Sequence, residues 1–294
     1  MDIDDLKKFL VVAKESNLQS ASRELHVTAG ALSKVVKRLE TKLGTPLFDR
    51  IGRSIVLNQR GLKFRQYALH LVNEAEQVIS EFNGQNQTTT VRLCGPSILL
   101  QHHLSDIAKT VLGQPYEFTI EACWEGQALQ RLTAGHAHIA LVTKAGLNDN
   151  DQKNDLNHIS LGTTGYQLVA SASHSIFNEF PSETVPREAL QTYGFACPSV
   201  SPFCGIRRGV GSDGWRDDKI QRRIEYRCDD FSVLLSLVNE GLALAYVPDF
   251  VAVSHGFESI AIEGWEQTNE EESVLVYKPS LAHGWLNTFA AHWQ

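Results

Sequence analysis

The segment from Thr28 to Gly44 leaves the chain the least freedom. Leu32, Val36, Leu39 and Leu43 recur at i, i+4, i+7 and i+11, the single apolar stripe of an α-helix. Thr28 ahead of it offers a hydroxyl to the first unsatisfied amides, and Gly44 behind it admits the left-handed turn that ends such helices. The opposite face carries Ser33, Lys34, Lys37 and Arg38. A helix this short is held mainly by packing its stripe onto neighbours, and the preceding sequence supplies them. Ile3, Leu6, Phe9, Leu10 and Ala13 fall at helical spacing, with Asp2, Asp4 and Asp5 in the first turn where acids suit the helix dipole. A break at Ser16 and Asn17 precedes a second short helix over roughly 19–25, with Ala21 and Leu25 on one face.

Two short helices joined by a tight turn, the later one basic outside, form the pattern of a helix-turn-helix. Residues 46–57 read as a hairpin bent at Gly52, a wing flanked by Arg50 and Arg53. From residue 58 a helical pattern runs to 82, with Leu62, Leu69, Val72, Ala75, Ile79 and Phe82 near one side, too apolar for a free linker. Charge follows the same division. Residues 1–65 hold thirteen Lys and Arg against seven Asp and Glu, whereas the remainder holds fourteen against twenty-seven. A charge excess alone is usually a solvated surface; here the spacing converts it into a polyanion-binding module on an acidic body.

Residues 83–90 are polar and aperiodic, which marks a boundary. Beyond it, strands are expected at 91–94, 116–122, 139–143, 166–171, 193–197, 243–247 and 273–277, with helices at 97–112, 126–134 and 230–240. Such alternation predicts a mostly parallel sheet with helices on its faces. The longest apolar stretch, 241–253, contains Pro248 and Asp249 and is too short to span a bilayer. The amino terminus lacks the basic and apolar regions of a secretory signal, so a cytoplasmic chain is expected. Cys94, Cys123, Cys197, Cys204 and Cys228 are odd in number and widely spread, without a C-x-x-C pair, and are expected to be reduced thiols.

The stretches Phe9-Leu-Val-Val-Ala-Lys, Ser22-Arg-Glu-Leu-His-Val-Thr, Ala31-Leu-Ser-Lys-Val-Val-Lys-Arg-Leu-Glu and Leu43-Gly-Thr-Pro-Leu-Phe-Asp-Arg closely resemble the DNA reader of the LysR-type transcriptional regulators. The remainder resembles that family's effector domain more loosely, through Glu125-Gly-Gln, Ala140-Leu-Val-Thr and Val238-Asn-Glu-Gly-Leu-Ala-Leu-Ala-Tyr-Val-Pro-Asp. The resemblance implies an α+β multidomain chain: a winged helix-turn-helix over 1–58, a linker and dimerisation helix over 59–86, and an α/β effector domain over 91–294. That domain is similar to periplasmic solute-binding proteins, with lobe I at about 91–162 and 266–294 and lobe II at about 163–265. It also implies a small ligand between the lobes, no catalysis, no cofactor and a homotetramer built on linker-helix dimers. Two positions depart from the family pattern. Ala29 and Gly30 stand where Ser or Gln and then Pro are usual, and Gln19 stands where Ser or Thr commonly caps the second helix.

DNA binding needs cations at phosphate spacing for affinity and polar groups at base edges for specificity. Lys34, Lys37, Arg50 and Arg53 are candidates for the first role, Thr28 and Ser33 for the second. In the effector half, Gly95-Pro96-Ser97 lies where a strand turns into a helix, the crevice ligands favour in α/β sheets. Ser97 and the adjacent Ile98 are therefore effector candidates, and by resemblance Thr143, Ser199 and Phe231 edge the same cleft. Gly209 to Gly214 matches G-x-G-x-x-G, but its flanks read as a loop rather than a dinucleotide fingerprint. Arg207, Arg208, Arg216, Lys219, Arg222, Arg223 and Arg227 gather around it. With the helix terminus, this cluster gives the expectation of an organic acid or inorganic anion as effector, although a solvated surface is the simpler account. His102, His103, His136 and His138 lack a third ligand at metal spacing, and Cys197 with Cys204 is a redox pair only if exposed and acidic. The alternatives are an enzyme using residues 209–214, or a solute-binding module with a basic arm.

Overall fold

Phe9 sets the geometry of the amino-terminal unit. In the computed structural model, which describes residues 2–52, 54–82, 89–110, 112, 116–151, 153–181, 184–265 and 269–279, this ring lies edge-on to Phe48 and Phe64, at 5.5 and 4.9 Å between centroids. It ties together elements distant in sequence. These are helices α1 (Ile3–Glu15), α2 (Leu18–Glu24) and α3 (Ala29–Leu43), the antiparallel hairpin β1 (Phe48–Ile51) and β2 (Ser54–Leu57), and the long helix α4 (Gln59–Phe82). The hairpin is held to the α1–α2 turn by the Ile55 amide, which donates to the Ser16 carbonyl at 3.1 Å.

Four local expectations change. The second helix starts at Leu18 because Asn17 caps it, its Oδ1 accepting from the Gln19 and Ser20 amides at 2.8 and 3.3 Å; Gln19 has no capping duty. The buried stripe of α3 is Leu32, Val35, Val36 and Leu39, while Leu43, on the last turn before Gly44, is 39% exposed. Asp5 is buried, and it receives the Arg38 Nε at 2.8 Å and a second guanidinium nitrogen. Asp5 therefore locks α1 to α3, and Arg38 belongs to that pair rather than to the open cationic face. Helix α4 buries Phe64, Ala68 and Val72 against α1 and the wing. Leu62, Tyr67, Leu71, Val78 and Ile79 remain exposed, and Tyr67, Leu71 and Val78 among them form a second apolar stripe beside the buried one.

The second unit follows as β3 (Thr89–Gly95), α5 (Ser97–Thr110), β4 (Tyr116–Ala122), α6 (Glu125–Thr133), β5 (Ile139–Thr143), α7 (Lys144–Asn148) and β6 (Asn157–Ala170). Then come α8 (Ile176–Glu179), β7 (Gly194–Pro198), β8 (Arg223–Cys228), α9 (Phe231–Asn239), β9 (Ala245–Pro248), α10 (Asp249–His255), β10 (Glu258–Ser259) and β11 (Glu270–Tyr277). Strand order in the main sheet is β10-β6-β11-β5-β3-β4, with β9 also on β6. Only β3 with β4 and β3 with β5 pair in parallel there; β11 runs antiparallel to β5 and β6, and β9 and β10 antiparallel to β6. The expected mostly parallel sheet is thus mixed, because β6 and β11 return the chain alongside strands laid down earlier. Strands β7 and β8 form a separate parallel pair.

Strand β6, with 14 residues, is more than twice the length expected for it. Its residues 157–165 pair with β11, its residues 166–169 with β9, and its end with β10. The register slips between Ser273 and Val274, opposite Gly162, whose φ is +115°. The boundary expected between lobes at 162/163 therefore falls inside one continuous strand. Strand β8, absent from the expectations, alternates exposed Arg223, Glu225 and Arg227 with half-buried Ile224 and Tyr226, a period of two visible in the sequence. Among the described residues no helix is long and apolar enough to cross a membrane.

Candidate functional site

On α3 the sequence places its cations where nothing covers them. Gly30, Lys34 and Lys37 are exposed along the outer face at i, i+4 and i+7, and a Cβ built on Gly30 meets nothing within 4 Å. Gly30 thus leaves bare backbone at the first turn, where amides favour phosphate oxygens. Thr28 caps the helix, its hydroxyl accepting from the Ala31 amide at 3.2 Å, and is itself exposed. Ser33 is half-buried beside the cationic row, and Arg50 is exposed on β1 opposite Ile55. Arg53 lies outside the described residues, as do residues 83–88, 266–268 and 280–294 of the expected linker end and lobe I.

The strand-to-helix crevice forms as expected around Gly95. A Cβ there would sit 2.5 Å from the Leu141 carbonyl, so a glycine is needed for β3 to end against β5. Ser97 is exposed at the start of α5 and, with Ile98, Trp124, Pro198 and Phe231, lines a cavity of about 340 Å³. Three of the five expected effector residues therefore meet around one space. The other two support its surroundings. Thr143 is buried; its amide donates to Glu125 Oε1 at 2.6 Å and its hydroxyl caps α7 by accepting from Gly146 at 3.0 Å. The Ser199 amide donates to the Cys228 carbonyl at 2.8 Å, and its own carbonyl accepts from the Ser212 hydroxyl. Asp229 and Asp230 face the 340 Å³ cavity, no Lys or Arg does so among the described residues, and Asp230 already accepts from the Ser232 and Val233 amides of α9. An anion expected from helix termini alone has no counter-charge there.

A larger cavity of about 520 Å³ adjoins it, sharing Pro198, Pro202 and Phe231. Tyr166 stacks on Tyr246 at 5.4 Å, and Trp215 meets Tyr246 edge-on at 5.3 Å, giving the cavity an aromatic wall. The loop 209–214 forms part of the lining and leads into no helix, which agrees with reading it as a loop. The arginine cluster is largely absorbed internally. The Arg222 side chain is fully buried and pairs with Asp213 at 2.6 Å and Asp217 at 3.0 Å. Arg216 binds Asp218, and Arg223 binds Glu225. Arg208 lines the 520 Å³ cavity and approaches Asp149 only at 3.9 Å.

Titratable groups elsewhere in this half are mostly structural. Burial pushes the His103 imidazole down to about 4, and burial with the neighbouring Arg92 takes His138 down to about 3, so both are neutral at physiological pH. The five cysteines are free; burial holds the Cys197 thiol well above its ordinary value and raises Cys94 to about 12, the opposite of a reactive thiolate. No group of three or more metal-ligating side chains occurs among the described residues. Sequence reasoning passed over the buried Glu125 and the half-buried Glu271. Their signal was faint: Glu125 stood only in a resembling motif, and Glu271 in an acidic run.

A winged helix-turn-helix with an open cationic helix, joined through a long helix to a two-lobed α/β unit with a cleft, defines a ligand-responsive DNA-binding regulator. The sequence comparisons give the family. Residues 3–62 match the model of the bacterial regulatory helix-turn-helix proteins of the lysR family, and residues 84–288 match the LysR substrate binding domain. The chain belongs to the LysR family and is a DNA-binding transcriptional regulator with an effector-binding domain. The HTH-type transcriptional regulator DgdR of Burkholderia cepacia is 28% identical over 264 residues, covering 87% of this chain and 82% of DgdR. Full-length LysG from Corynebacterium glutamicum, solved with bound effector Arg, superposes with a TM-score of 0.63 at 15% identity, over 99% of this chain and 96% of that one. Full-length CbnR in complex with its target DNA gives 0.61 at 19% identity, over 100% and 99%.

Proposed function

We propose that α3 enters the major groove, with Lys34, Lys37, Arg50 and Arg53 on phosphates and Thr28 and Ser33 at base edges. The observation that carries this reading is the uncovered Lys34 and Lys37 row on a helix whose other face is closed by Leu32, Val35, Val36 and Leu39. The chain divides into a DNA reader at 1–58, a pairing helix at 59–86 and an effector domain at 91–294. It acts by binding rather than catalysis, in the cytoplasm where its DNA lies. The second apolar stripe of α4, with Tyr67, Leu71 and Val78 at i, i+4 and i+11, pairs two copies, and two such dimers assemble into a homotetramer. Effector seated against Ser97, Ile98 and Phe231, with Thr143 and Ser199 holding the walls, shifts the population of lobe arrangements and with it the setting of the paired readers.

The direct test is a footprint of the full chain on genomic fragments, including DNA upstream of its own reading frame, at two salt concentrations. Paired protected half-sites that weaken steeply with salt are expected; unprotected DNA at low salt would remove the assignment of these residues. In the same assay Lys34→Ala is expected to weaken binding several-fold on every sequence and to reduce the slope of log K against log salt by about 0.9 per protomer–half-site contact. Ser33→Ala is expected to change which base is preferred at one position. An unaltered slope for the first and an unaltered preference for the second would take both residues out of the contact set.

A further inference from the structure

The 520 Å³ cavity carries more chemistry than the general reading of an effector cleft uses. Its lining combines the aromatic rings of Tyr166, Trp215 and Tyr246 with Glu270, Glu271 and Arg208. The other charges lining it are committed elsewhere: Asp213 to the buried Arg222 at 2.6 and 2.9 Å, and Arg216 to Asp218 at 2.7 and 2.6 Å. That leaves two carboxylates, one guanidinium and a set of ring faces to meet a ligand.

Glu271 is the most informative of these. The Thr143 hydroxyl lies within hydrogen-bond reach of both Glu271 and Glu125, yet it carries a single proton. Glu125 also has the Thr143 amide at 2.6 Å, so it is the better satisfied of the two. Burial, reinforced by Glu125, raises the Glu271 carboxyl to about 7. A carboxylate short of donors beside a second one, in a cavity lined by aromatic rings, is a receptor for a cation: ammonium relieves the repulsion, and the rings attract it through their quadrupoles. Arg208 offers a bidentate fork to a carboxylate.

Resting on the reading of the cleft as the effector site, and extending it past Phe231 from the 340 Å³ space into the adjoining 520 Å³ cavity, we propose that this cavity binds a small zwitterion of amino-acid type, its ammonium at Glu271 against Tyr166, Trp215 and Tyr246 and its carboxylate at Arg208. This replaces the anion expected from the sequence. A simple acid paired with Arg208 would draw off the one positive charge that relieves Glu271 and Glu125, whereas a zwitterion brings its own cation to them.

The experiment is calorimetric titration of the full-length protein with three matched sets of probes: the common amino acids, their carboxylic acids lacking the amine, and their decarboxylated amines. At least one amino acid is expected to bind, with a tenfold or greater loss on removing its amine. Glu271→Gln should reproduce that loss for the amino acid, and Arg208→Gln should weaken the amino acid while sparing the decarboxylated amine. Binding is also expected to strengthen between pH 6 and 8 as Glu271 ionises among Glu125 on α6, Thr143 on β5, Tyr166 on β6 and Arg208. Equal affinity for the acids without an amine, or an unchanged affinity in Glu271→Gln, overturns the ligand class and leaves the cleft as a site. Failure of every probe to bind removes the site as well.

Discussion

Replacing Arg222 by methionine is expected to lower the stability of the effector domain by about 3–5 kcal/mol, the cost of breaking a buried ion pair from one side. The guanidinium has no exposed surface, and Asp213 beside it is 4% exposed. Burial disfavours its charge, yet the hydrogen bonds from Arg222 to Asp213 hold it protonated above its ordinary range. Its plane also lies about 5 Å from the rings of Phe195 and Trp215, at 5.3 and 5.2 Å. Methionine fills much of the volume but strands Asp213 without its counter-ion. Urea unfolding followed by tryptophan fluorescence measures the loss. Asp213→Asn combined with Arg222→Met is expected to recover part of it, because only the less buried Asp217 then lacks its partner. A double variant as damaged as the sum of the two singles would mean that the charges are independent and the explanation wrong.

Placing an aspartate at Leu71 is expected to separate the paired readers. Leu71 is 40% exposed on the stripe of α4 shared with Tyr67 and Val78, beside the Phe64, Ala68 and Val72 stripe that packs on α1. Two aspartates brought together across an isologous interface repel and lose the apolar contact. The helix itself loses little, since the substituted side chain is already solvent-facing in one copy. Sedimentation of the variant is expected to show monomer at concentrations where the parent is paired. Loss of the second half-site should lower operator affinity by about 100-fold, the low end of what linked binding contributes. Persistence of dimers with paired footprints in Leu71→Asp would locate the pairing surface elsewhere.

Much of the amino-terminal unit was legible because its signals are local. Capping residues, an i+3 and i+4 stripe and a glycine bend fixed three helices and a hairpin to within a residue or two. What escaped were cross-chain commitments: Asp5 looks like an ordinary first-turn acid until Arg38, thirty-three positions on, reaches it. The same limit applied to the effector half. Individual strands such as Tyr116–Ala122 and Ile139–Thr143 were found at their bounds, while sheet direction was not, since pairing depends on partners far along the chain. The arginine cluster misled for that reason. Setting Arg216, Arg222 and Arg223 against the few acids around them did not show that each is answered by one of those acids, or that β8 would place Arg223, Glu225 and Arg227 on one face. That Ser97 and Ile98 would stand at a crevice was legible from strand-to-helix logic, and Phe231 beside them came from the family resemblance; Glu271 and the ring wall were not legible, because a cavity is a property of tertiary packing.

The long strand β6 has a mechanical consequence. Because one backbone belongs to the pairing of both lobes, sliding the lobes apart would break its ladder, whereas twisting about it would not. The slip opposite Gly162 offers the point of least torsional resistance. Lobe movement in this chain is therefore expected to be a rotation about an axis near residues 160–165 rather than a slide of one lobe past the other.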